Sequence, residues 1–283
     1  MAVQDQDLQG RTIVVTGASS GIGAVGAARL AARGATVAVV GRDPERTARV
    51  AEEIGAAHFL ADFGRLDDVR KLADQLLGRF PQIDVLVNNA GGSWPDRAVT
   101  VDGNERTFQV NHLGGFLLTG LLLDRLRQAP RARVINTSSL TYRTAKLNLD
   151  TVNAPSGSFS MLGAYAATKL ANIVFTRELV RRTGLVSAAF HPGAVATNVY
   201  DNIPFGIGAF IRSPLARPFF IRPAQGAEPL VHLAATRDVE AIDGKYFHRF
   251  KEESPSVKQA VDPVFAAQLW ELSEQLTGVS YQR

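Results

Sequence analysis

The sequence predicts an α/β protein in which one doubly wound parallel sheet, of about seven strands, carries helices on both faces. Short β-branched segments alternate with helical segments along the chain. A glycine-rich turn separates the first strand from the first helix, and polar residues follow most of the strands directly. In such sheets ligands bind beyond the carboxyl ends of the strands, so these polar residues predict a site at that edge.

The composition fits a globular protein and excludes several functional classes. Of the 283 residues, 46% are hydrophobic and 20% are charged, and 31 basic against 27 acidic side chains give a net charge of +4. We interpret the basic clusters as solvated helix ends and expect no nucleic-acid partner. Cysteine is absent, which rules out disulfides and thiolate sites. The five histidines lack metal-ligand spacing, so we expect no metal site.

The apolar segments are too short to predict a membrane protein. No run reaches the roughly 18 apolar residues that a spanning helix needs. The stretch from Met1 to Gly10 is polar, unlike a signal peptide. We therefore expect no membrane span or anchor, and a cytoplasmic location. No linker or charge block divides the chain, so residues 1–283 are predicted to form a single domain.

Proline and glycine mark most boundaries between the predicted elements. Pro44 opens the second helix, Pro81 ends the third, and Gly34 and Gly184 follow helix ends. Strands are predicted at residues 11–16, 36–40, 58–61, 85–87, 133–137, 186–190 and 244–247, the last at an edge of the sheet. Helices are predicted at residues 24–33, 44–54, 66–79, 104–127, 163–182 and 264–276.

The turn after the first strand has the composition of a phosphate-binding loop. It runs Gly17-Ala-Ser19-Ser20-Gly21-Ile22-Gly23, with the spacing Gly-x-x-x-Gly-x-Gly. Glycines let the backbone approach a pyrophosphate, and the start of the next helix offers free N–H groups and a positive dipole end. The alternative is a glycine-rich turn that only joins a strand to a helix.

Tyr165 and Lys169 lie four residues apart in a predicted helix, which places their side chains on one face. A free phenol has a pKa of about 10, and a neighbouring cation lowers it. The pair could therefore act as one acid/base of useful strength at neutral pH. The spacing alone fits equally well a surface helix with a partly buried tyrosine.

Taken together and in order, the motifs resemble those of the short-chain dehydrogenase/reductase family, over nearly the whole chain. They are Thr16-Gly17-x-x-x-Gly21-Ile22-Gly23, Asn88-Asn89-Ala90-Gly91, Asn111, Ser139, Tyr165-x-x-x-Lys169 and Pro192-Gly193. Finer features resemble the branch of the retinol dehydrogenases and light-dependent protochlorophyllide reductases. They are Val110-Asn111-His112-Leu113-Gly114, Lys169-Leu-Ala-Asn172, His191-Pro192-Gly193-x-Val195-x-Thr197 and Leu269-Trp270-Glu271-Leu272-Ser273.

The resemblance implies a Rossmann-type dinucleotide-binding catalytic domain with four catalytic residues. Tyr165 would exchange a proton with the substrate oxygen, and Lys169 would lower its pKa and bind the nicotinamide ribose. Ser139 would hydrogen-bond the substrate oxygen, and Asn111 would hold a water in the proton relay. We choose Ser139 over Ser138 because the serine of this family is usually the second of two.

The family also implies further cofactor contacts at the ends of three strands. They are Asn89, Ala90 and Gly91 beside the adenosine, Asp62 and Phe63 at the adenine, and Pro192, Val195 and Thr197 at the nicotinamide end. Asn88 is expected to tie the central strands together instead.

The end of the second strand favours NADP(H) over NAD(H). A ribose 2′-hydroxyl is usually met there by a carboxylate, which would repel a 2′-phosphate. Here Gly41 stands at that position and Arg42 follows. An arginine can donate two N–H bonds to phosphate oxygens. The alternative is that Arg42 is a solvated turn residue paired with Asp43 or Glu45.

Two further expectations concern substrate and assembly. Residues 198–223 hold eight isoleucine and phenylalanine residues, which predicts a lid over an apolar site. A small satellite core, or a patch that contacts a membrane or partner, would also explain them. The resemblance suggests a homodimer in which helix 104–127 and the Tyr165 helix pair with their copies. Apolar area would come from Leu117, Leu118, Leu121 and Leu122, although part of it must face the sheet.

These observations predict an NADP(H)-dependent oxidoreductase that interconverts an apolar ketone or aldehyde and its alcohol. Fold and catalytic residues do not identify the substrate. A natural-product tailoring ketoreductase or a dehydratase-type enzyme on the same scaffold remains an alternative. A non-catalytic NADP(H)-sensing protein is a third hypothesis, although a sensor has no need of a proton relay.

Overall fold

An eight-stranded sheet forms the centre of the protein in the computed structural model, which describes residues 8–154, 157–193 and 221–281. The strands are β1 (Thr12–Thr16), β2 (Thr36–Gly41), β3 (Ala57–Leu60), β4 (Val85–Asn88), β5 (Arg133–Thr137), β6 (Val186–His191), β7 (Lys245–His248) and β8 (Lys251–Glu252). Their order is β3-β2-β1-β4-β5-β6-β7-β8. All neighbours pair in parallel except β8, which is antiparallel to β7. The predicted doubly wound parallel sheet is confirmed.

Helices fill most of the connections between the strands. They are α1 (Gly21–Ala32), α2 (Pro44–Glu53), α3 (Leu66–Arg79), α4 (Arg106–Phe108), α5 (Gly114–Leu121), α6 (Leu123–Arg127), α7 (Met161–Thr183), α8 (Pro223–Gly226), α9 (Glu228–Ala235) and α10 (Pro263–Thr277). Two helix boundaries show the expected capping. Asp43 accepts the Arg46 N–H at the start of α2, and Gly184 follows the end of α7 with a left-handed φ of 68°.

Side chains of each strand alternate between two apolar cores. Ile13 and Val15 of β1 join a cluster that includes residues of α1, α2 and α9. Val14 points to the opposite face and joins residues of α3, α5 and α6. A third cluster lies under α7, where Ala189 and Tyr246 are buried. Helices therefore cover both faces of the sheet, as predicted.

The secondary structure predicted from the sequence differs from the structure in two places, the last predicted strand and the helix predicted over 104–127. The segment predicted as an edge strand is β7, which is interior because the two-residue strand β8 pairs beyond it. The helix predicted over 104–127 is interrupted by a π-helical turn at Gln109–Leu113 and by a second break at Leu122. The apolar periodicity continues through both breaks, so the sequence does not reveal them.

The last helix, α10, packs across α5 and α7 on the outside of the sheet. Trp270 of α10 is 2% exposed, and its ring centroid lies 5.0 Å from that of Phe116 and 5.9 Å from that of Phe175. Beyond the helix, the Tyr281 hydroxyl donates to the Phe116 carbonyl at 2.6 Å. One cluster of aromatic rings thus holds α10 onto the two helices.

This packing bears on the leucines that the predicted homodimer would use. Leu117, Leu118 and Leu122 are fully buried in the core of their own chain, and α10 covers the neighbouring helices. The expectation that these three leucines face a second copy is therefore wrong. Homodimer formation stays a prediction.

Within the described parts of the chain, no helix has both the length and the hydrophobicity required to cross a membrane.

We expect Trp270→Ala to lower the free energy of unfolding by about 3–5 kcal/mol, because it empties the centre of the aromatic cluster. Urea unfolding followed by circular dichroism measures the change. Val264→Ala is the matched control on α10, since Val264 is 65% exposed and its loss should cost no more than about 0.5 kcal/mol. Equal urea midpoints for Trp270→Ala and wild type would show that α10 adds little to stability.

Candidate active site

The carboxyl ends of β1 and β4 are joined by the side chain of Thr16. Its hydroxyl donates to the Val87 carbonyl at 3.0 Å and accepts the backbone N–H groups of Asn89 and Ala90 at 2.9 and 3.0 Å. The Asn89 side chain donates back to the Thr16 carbonyl at 3.0 Å and accepts from the Thr137 hydroxyl at 3.2 Å. Asn89 therefore links three strand ends as well as bordering the predicted cofactor site.

Asn88 has the structural role expected of it. Its side-chain amide donates to the Thr119 hydroxyl and to the Asn136 side chain, both at 3.0 Å. These bonds join β4 to β5 and to α5 in the interior.

The glycine-rich turn brings the loop backbone against neighbouring segments. Gly17 has φ +64° and Gly21 has φ +60°, a region that favours glycine. A Cβ on Gly17 would lie 2.7 Å from the Ala90 Cα, and one on Gly23 would collide with the Gly17 carbonyl oxygen. Larger residues at these positions would push the loop outward.

The first turn of α1 has a polar N-cap and no acidic side chain. Ser20 occupies the N-cap position, Ser19 and Ser20 are half-buried, and Ile22 anchors the turn in the core. The turn that follows is Gly-Ile-Gly-Ala, so no carboxylate competes for the free N–H groups at the helix start. Phosphate binding by this turn stays a prediction.

Lys169 and Tyr165 lie together on α7, facing the end of β5. The Lys169 side chain is 3% exposed, and its Nζ lies 5.2 Å from the centroid of the Tyr165 ring. The ammonium donates to the Thr137 carbonyl at 3.2 Å. Burial lowers the pKa of Lys169 to about 8. Because a Cβ on Gly91 would stand 3.5 Å from Nζ, the glycine leaves space beside the ammonium.

The two serines after β5 differ in what their hydroxyls do. Ser138 is buried and donates to the Lys169 carbonyl at 2.9 Å. Ser139 is half-buried, and its oxygen accepts the Thr141 N–H at 3.3 Å, which leaves its proton free for another acceptor. Of the two, Ser139 is better placed to donate to a substrate.

Asn111 lies in the π-helical turn, a feature often found at functional sites. Its amide nitrogen donates to the Gly92 carbonyl at 2.8 Å and to the Thr168 hydroxyl at 3.1 Å, and its oxygen accepts the Gly92 N–H at 2.8 Å. Both side-chain atoms are thus engaged. A water held by Asn111 would bind its backbone carbonyl, which has two lone pairs.

Gly41, at the end of β2, has no room for a side chain. A Cβ there would collide with the Thr47 hydroxyl and would lie 2.9 Å from the Ser19 Cβ. Arg42 is exposed beside it, and Asp43 is engaged by Arg46 through an Nε–Oδ2 bond of 2.9 Å.

Asp62 and Phe63 follow β3 but differ in orientation. Asp62 is half-buried and accepts the Gly64 N–H at 2.9 Å. The Phe63 ring is buried in the core beside Gly114. Phe63 therefore offers a ligand its backbone rather than its ring.

The segment after β6 turns sharply at Pro192 and Gly193. Gly193 has φ +104°, and its N–H donates to Nδ1 of His191 at 3.0 Å. Val195 and Thr197 lie outside the described residues, as does most of the predicted lid at 198–223.

Comparison with known proteins identifies the family. The model of the short chain dehydrogenase family matches residues 11–204. The chain belongs to the short-chain dehydrogenase/reductase family. This short-chain dehydrogenase is 40% identical over 280 residues to a Streptomyces sp. (strain C5) protein named for daunorubicin C-13 ketoreductase activity, DnrU, with 96% of this chain and 94% of the relative covered. It is 36% identical over 301 residues to mouse (Mus musculus) retinol dehydrogenase 14, with 96% and 87% covered.

Solved structures of short-chain dehydrogenases share the fold. An uncharacterised protein from Mycobacterium paratuberculosis superposes with a TM-score of 0.80 at 34% identity, covering 99% of this chain and 98% of its own. A short-chain dehydrogenase from Escherichia coli CFT073, solved with NADPH, gives a TM-score of 0.68 at 25% identity, covering 87% and 99%. The predicted family and its retinol-dehydrogenase-like branch are confirmed, and the chain is an oxidoreductase of a family that uses a nicotinamide cofactor.

The structure also places beside the Tyr165–Lys169 pair of this short-chain dehydrogenase residues that sequence reasoning did not assign to the site. Asn172 lies on the Tyr165–Lys169 face of α7, and His112 follows Asn111 in the π-helical turn. The position of Asn172 on this helix face could have been inferred from the sequence, because it lies three residues after Lys169 and seven after Tyr165. The hydrogen-bond partners of Asn172 and His112 include backbone carbonyls and a serine that is distant in sequence, and no sequence pattern identifies such partners.

We expect Gly23→Ala to lower the free energy of unfolding by about 1–3 kcal/mol, because the added methyl group collides with backbone. Gly78→Ala is the control: Gly78 is an exposed helical glycine of α3, and an added methyl group meets none of the described atoms within 4 Å. That substitution should stabilise by about 0.5–1 kcal/mol. Chemical denaturation measures both changes, and the same sign for the two would contradict the predicted close approach.

Proposed function

We propose that the protein is an NADP(H)-dependent oxidoreductase that interconverts an apolar ketone or aldehyde and its alcohol, with Tyr165 as the acid/base. The observation that carries the proposal is the buried Lys169 ammonium beside Tyr165, bonded to the Thr137 carbonyl two residues before the half-buried Ser139. The names of the two relatives, one for a ketoreductase and one for a retinol dehydrogenase, support carbonyl–alcohol interconversion.

In this proposal Tyr165 transfers the proton and Lys169 adjusts its acidity. An ammonium close to a phenol favours the phenolate, so the pKa of the tyrosine moves toward the operating pH, where both its protonated and its deprotonated form are accessible. The bond from Lys169 to the Thr137 carbonyl uses one of its three N–H donors. The other two remain for the nicotinamide ribose and for a water on the Asn111 carbonyl.

Ser139 and Tyr165 would together donate to the substrate oxygen. Negative charge develops on that oxygen during reduction, and two donors fixed in place stabilise it without reorganising. A bound nicotinamide cofactor supplies or accepts the hydride. In the oxidation direction the same two side chains hold the alcohol oxygen while Tyr165 removes its proton.

The residues at the carboxyl edge fit a dinucleotide. The Gly17–Gly23 loop and the start of α1 suit the pyrophosphate, Asn89, Ala90 and Gly91 suit the adenosine side, and Asp62 with the Phe63 backbone suits the adenine. Pro192, Val195 and Thr197 would lie at the nicotinamide end. We further propose that residues 1–283 act as one catalytic domain in the cytoplasm, with residues 198–223 as the substrate lid.

The space around Gly41 supports NADP(H) over NAD(H). A carboxylate that would bind a 2′-hydroxyl has no room there, since even a Cβ collides with the Thr47 hydroxyl. Arg42 is exposed next to it and free of Asp43, which pairs with Arg46. The alternatives of a dehydratase and a non-catalytic sensor are not favoured, because the relatives are named as reductases and dehydrogenases.

A panel of apolar and polar carbonyls, followed by NADPH absorbance, tests the function. We expect turnover of apolar ketones or aldehydes and a loss of about 10²–10⁴-fold in kcat for Tyr165→Phe, because the acid/base is removed. Tyr246→Phe is the matched control, since that buried hydroxyl has no hydrogen-bond partner in the part of the chain that the structure describes. Wild-type kcat in Tyr165→Phe would refute the proton-transfer role, and a preference for small polar ketones would refute the apolar site.

Replacing Arg42 with Ala tests the cofactor preference. A hydrogen bond to a charged group contributes about 1.5–3 kcal/mol, so KM for NADPH should rise roughly 10- to 150-fold while KM for NADH stays nearly constant. Added salt should reduce the difference, because an exposed arginine–phosphate contact is screened. Arg49→Ala is the control for the loss of one positive charge from an exposed arginine of α2. Equal losses with both cofactors, or a wild-type preference for NADH, would contradict the assignment.

A further inference from the structure

A chain of buried polar side chains runs from α10 to the predicted catalytic residues. The Ser273 hydroxyl lies 3.0 Å from Nε2 of His112, and Nδ1 of His112 lies 3.3 Å from Oδ1 of Asn172. The Asn172 amide nitrogen then donates to the backbone carbonyls of Asn111 at 3.1 Å and Thr137 at 3.2 Å. Ser273, His112 and Asn172 are all buried.

The two carbonyls determine where the protons lie. A carbonyl only accepts, so the atom of Asn172 that faces Asn111 and Thr137 must be its NH₂ group, and its oxygen must face His112. His112 therefore needs a proton on Nδ1. Burial lowers the pKa of His112 to about 4, so the ring is neutral at pH 7. Its Nε2 is then an acceptor, and the Ser273 hydroxyl can donate to it in preference to the Leu269 carbonyl at 2.7 Å.

Aromatic packing fixes the plane of this imidazole. Phe108 stacks on His112 with ring centroids 5.2 Å apart, and Phe175 meets it edge-on at 6.1 Å. Rotation of the ring out of this plane would disturb both contacts. Packing therefore fixes the plane of the imidazole, and the hydrogen bonds to Asn172 and Ser273 determine which ring edges carry the nitrogens.

The far end of the chain meets the predicted catalytic residues at two points. The Thr137 carbonyl accepts from Asn172 and also from the Lys169 ammonium at 3.2 Å. The Asn111 carbonyl belongs to the π-helical turn whose side chain holds Gly92. One amide group therefore ties the end of β5 to the π-helical turn, across the site.

We propose that Ser273, His112 and Asn172 are positioning residues for the oxidoreductase reaction, holding Lys169 and the Asn111 carbonyl in the arrangement that proton transfer requires. The inference rests on the proposed function. It makes α10, far away in sequence, part of the support of the site. None of the three residues touches the substrate, and their effect passes through Thr137 and Asn111.

Matched substitutions separate positioning from stability. Ser273→Ala and Thr277→Val each remove a buried hydroxyl that lies within hydrogen-bond distance of the carbonyl four residues earlier in α10, at 2.7 and 2.6 Å, but only the Ser273 hydroxyl also reaches His112. We expect similar falls in thermal midpoint for both and a fall in kcat only for Ser273→Ala. Asn172→Leu should lower kcat by about 10- to 100-fold with little change in KM, since small misplacements of catalytic groups cost up to about 10²-fold.

His112 allows a test in which stability and activity change in opposite directions. His112→Asn keeps an N–H near the position of Nδ1 but leaves a cavity, whereas His112→Leu fills the space and loses the donor. We expect the Leu variant to be the more stable and the Asn variant to retain the higher kcat. If kcat instead follows thermal stability across these variants, the residues are only structural and the proposal fails.

Nitrogen NMR of histidine-labelled protein provides a measurement that needs no turnover. The free wild-type protein at pH 7 should show a neutral His112 with its proton on Nδ1. In a second sample labelled uniformly with nitrogen-15, the backbone amide signals of Asn111 and Gly92 should shift in Ser273→Ala and Asn172→Leu but not in Thr277→Val. A proton on Nε2, or equal shifts in all three variants, would overturn the hydrogen-bonded chain.

The two proposals fail in different ways. If no carbonyl is turned over but the NMR result is as expected, the proposed function is wrong and the chain of hydrogen bonds stands. If turnover is normal but Ser273→Ala behaves like Thr277→Val in kcat and in NMR, the positioning role is wrong.

Discussion

Placing an ammonium group inside the protein is the constraint on which the site depends. Lys169 is almost completely buried, and removing a charge from water costs several kcal/mol unless polar groups replace the lost solvent. The last residue of β5 provides one such group, its backbone carbonyl. The parallel pairing of β5 with β4 and β6 holds that carbonyl, so the sheet directly sets the position of the lysine.

Close approach of backbones explains why the polar groups converge in so small a volume. Gly17 stands against Ala90, Gly91 beside Asn111 and Lys169, and Gly114 against the Phe63 ring. Each contact leaves too little space for an ordinary side chain. Glycine is therefore needed at these positions because it has no side chain, and not only because its backbone is flexible. The strand ends come close enough to share hydrogen-bond partners such as Thr16 and Thr137.

Much of this arrangement follows from local pattern. Helix α3 and strand β5 lie where periodicity predicts them, and the residues singled out after the strands meet at one edge. The π-helical turn at Asn111 could not be predicted, because its apolar spacing continues that of an ordinary helix. The burial of the Phe63 ring and the covering of α5 by α10 depend on distant contacts, which local periodicity does not encode. For the same reason the sequence shows Asn172 as part of a motif but does not show that it hydrogen-bonds to His112 and to the carbonyls of Asn111 and Thr137.

The position of α10 has a consequence for how the protein is made. Ribosomes synthesise α5 and α7 long before the segment that covers them, so for a time the nascent chain presents Phe116 and Phe175 to solvent without Trp270 and Tyr281. Until then His112 also lacks the Ser273 hydroxyl, its hydrogen-bond partner at Nε2. Exposed aromatic surface of this kind favours association with other chains. This aromatic surface therefore stays open to such association until the last helix docks.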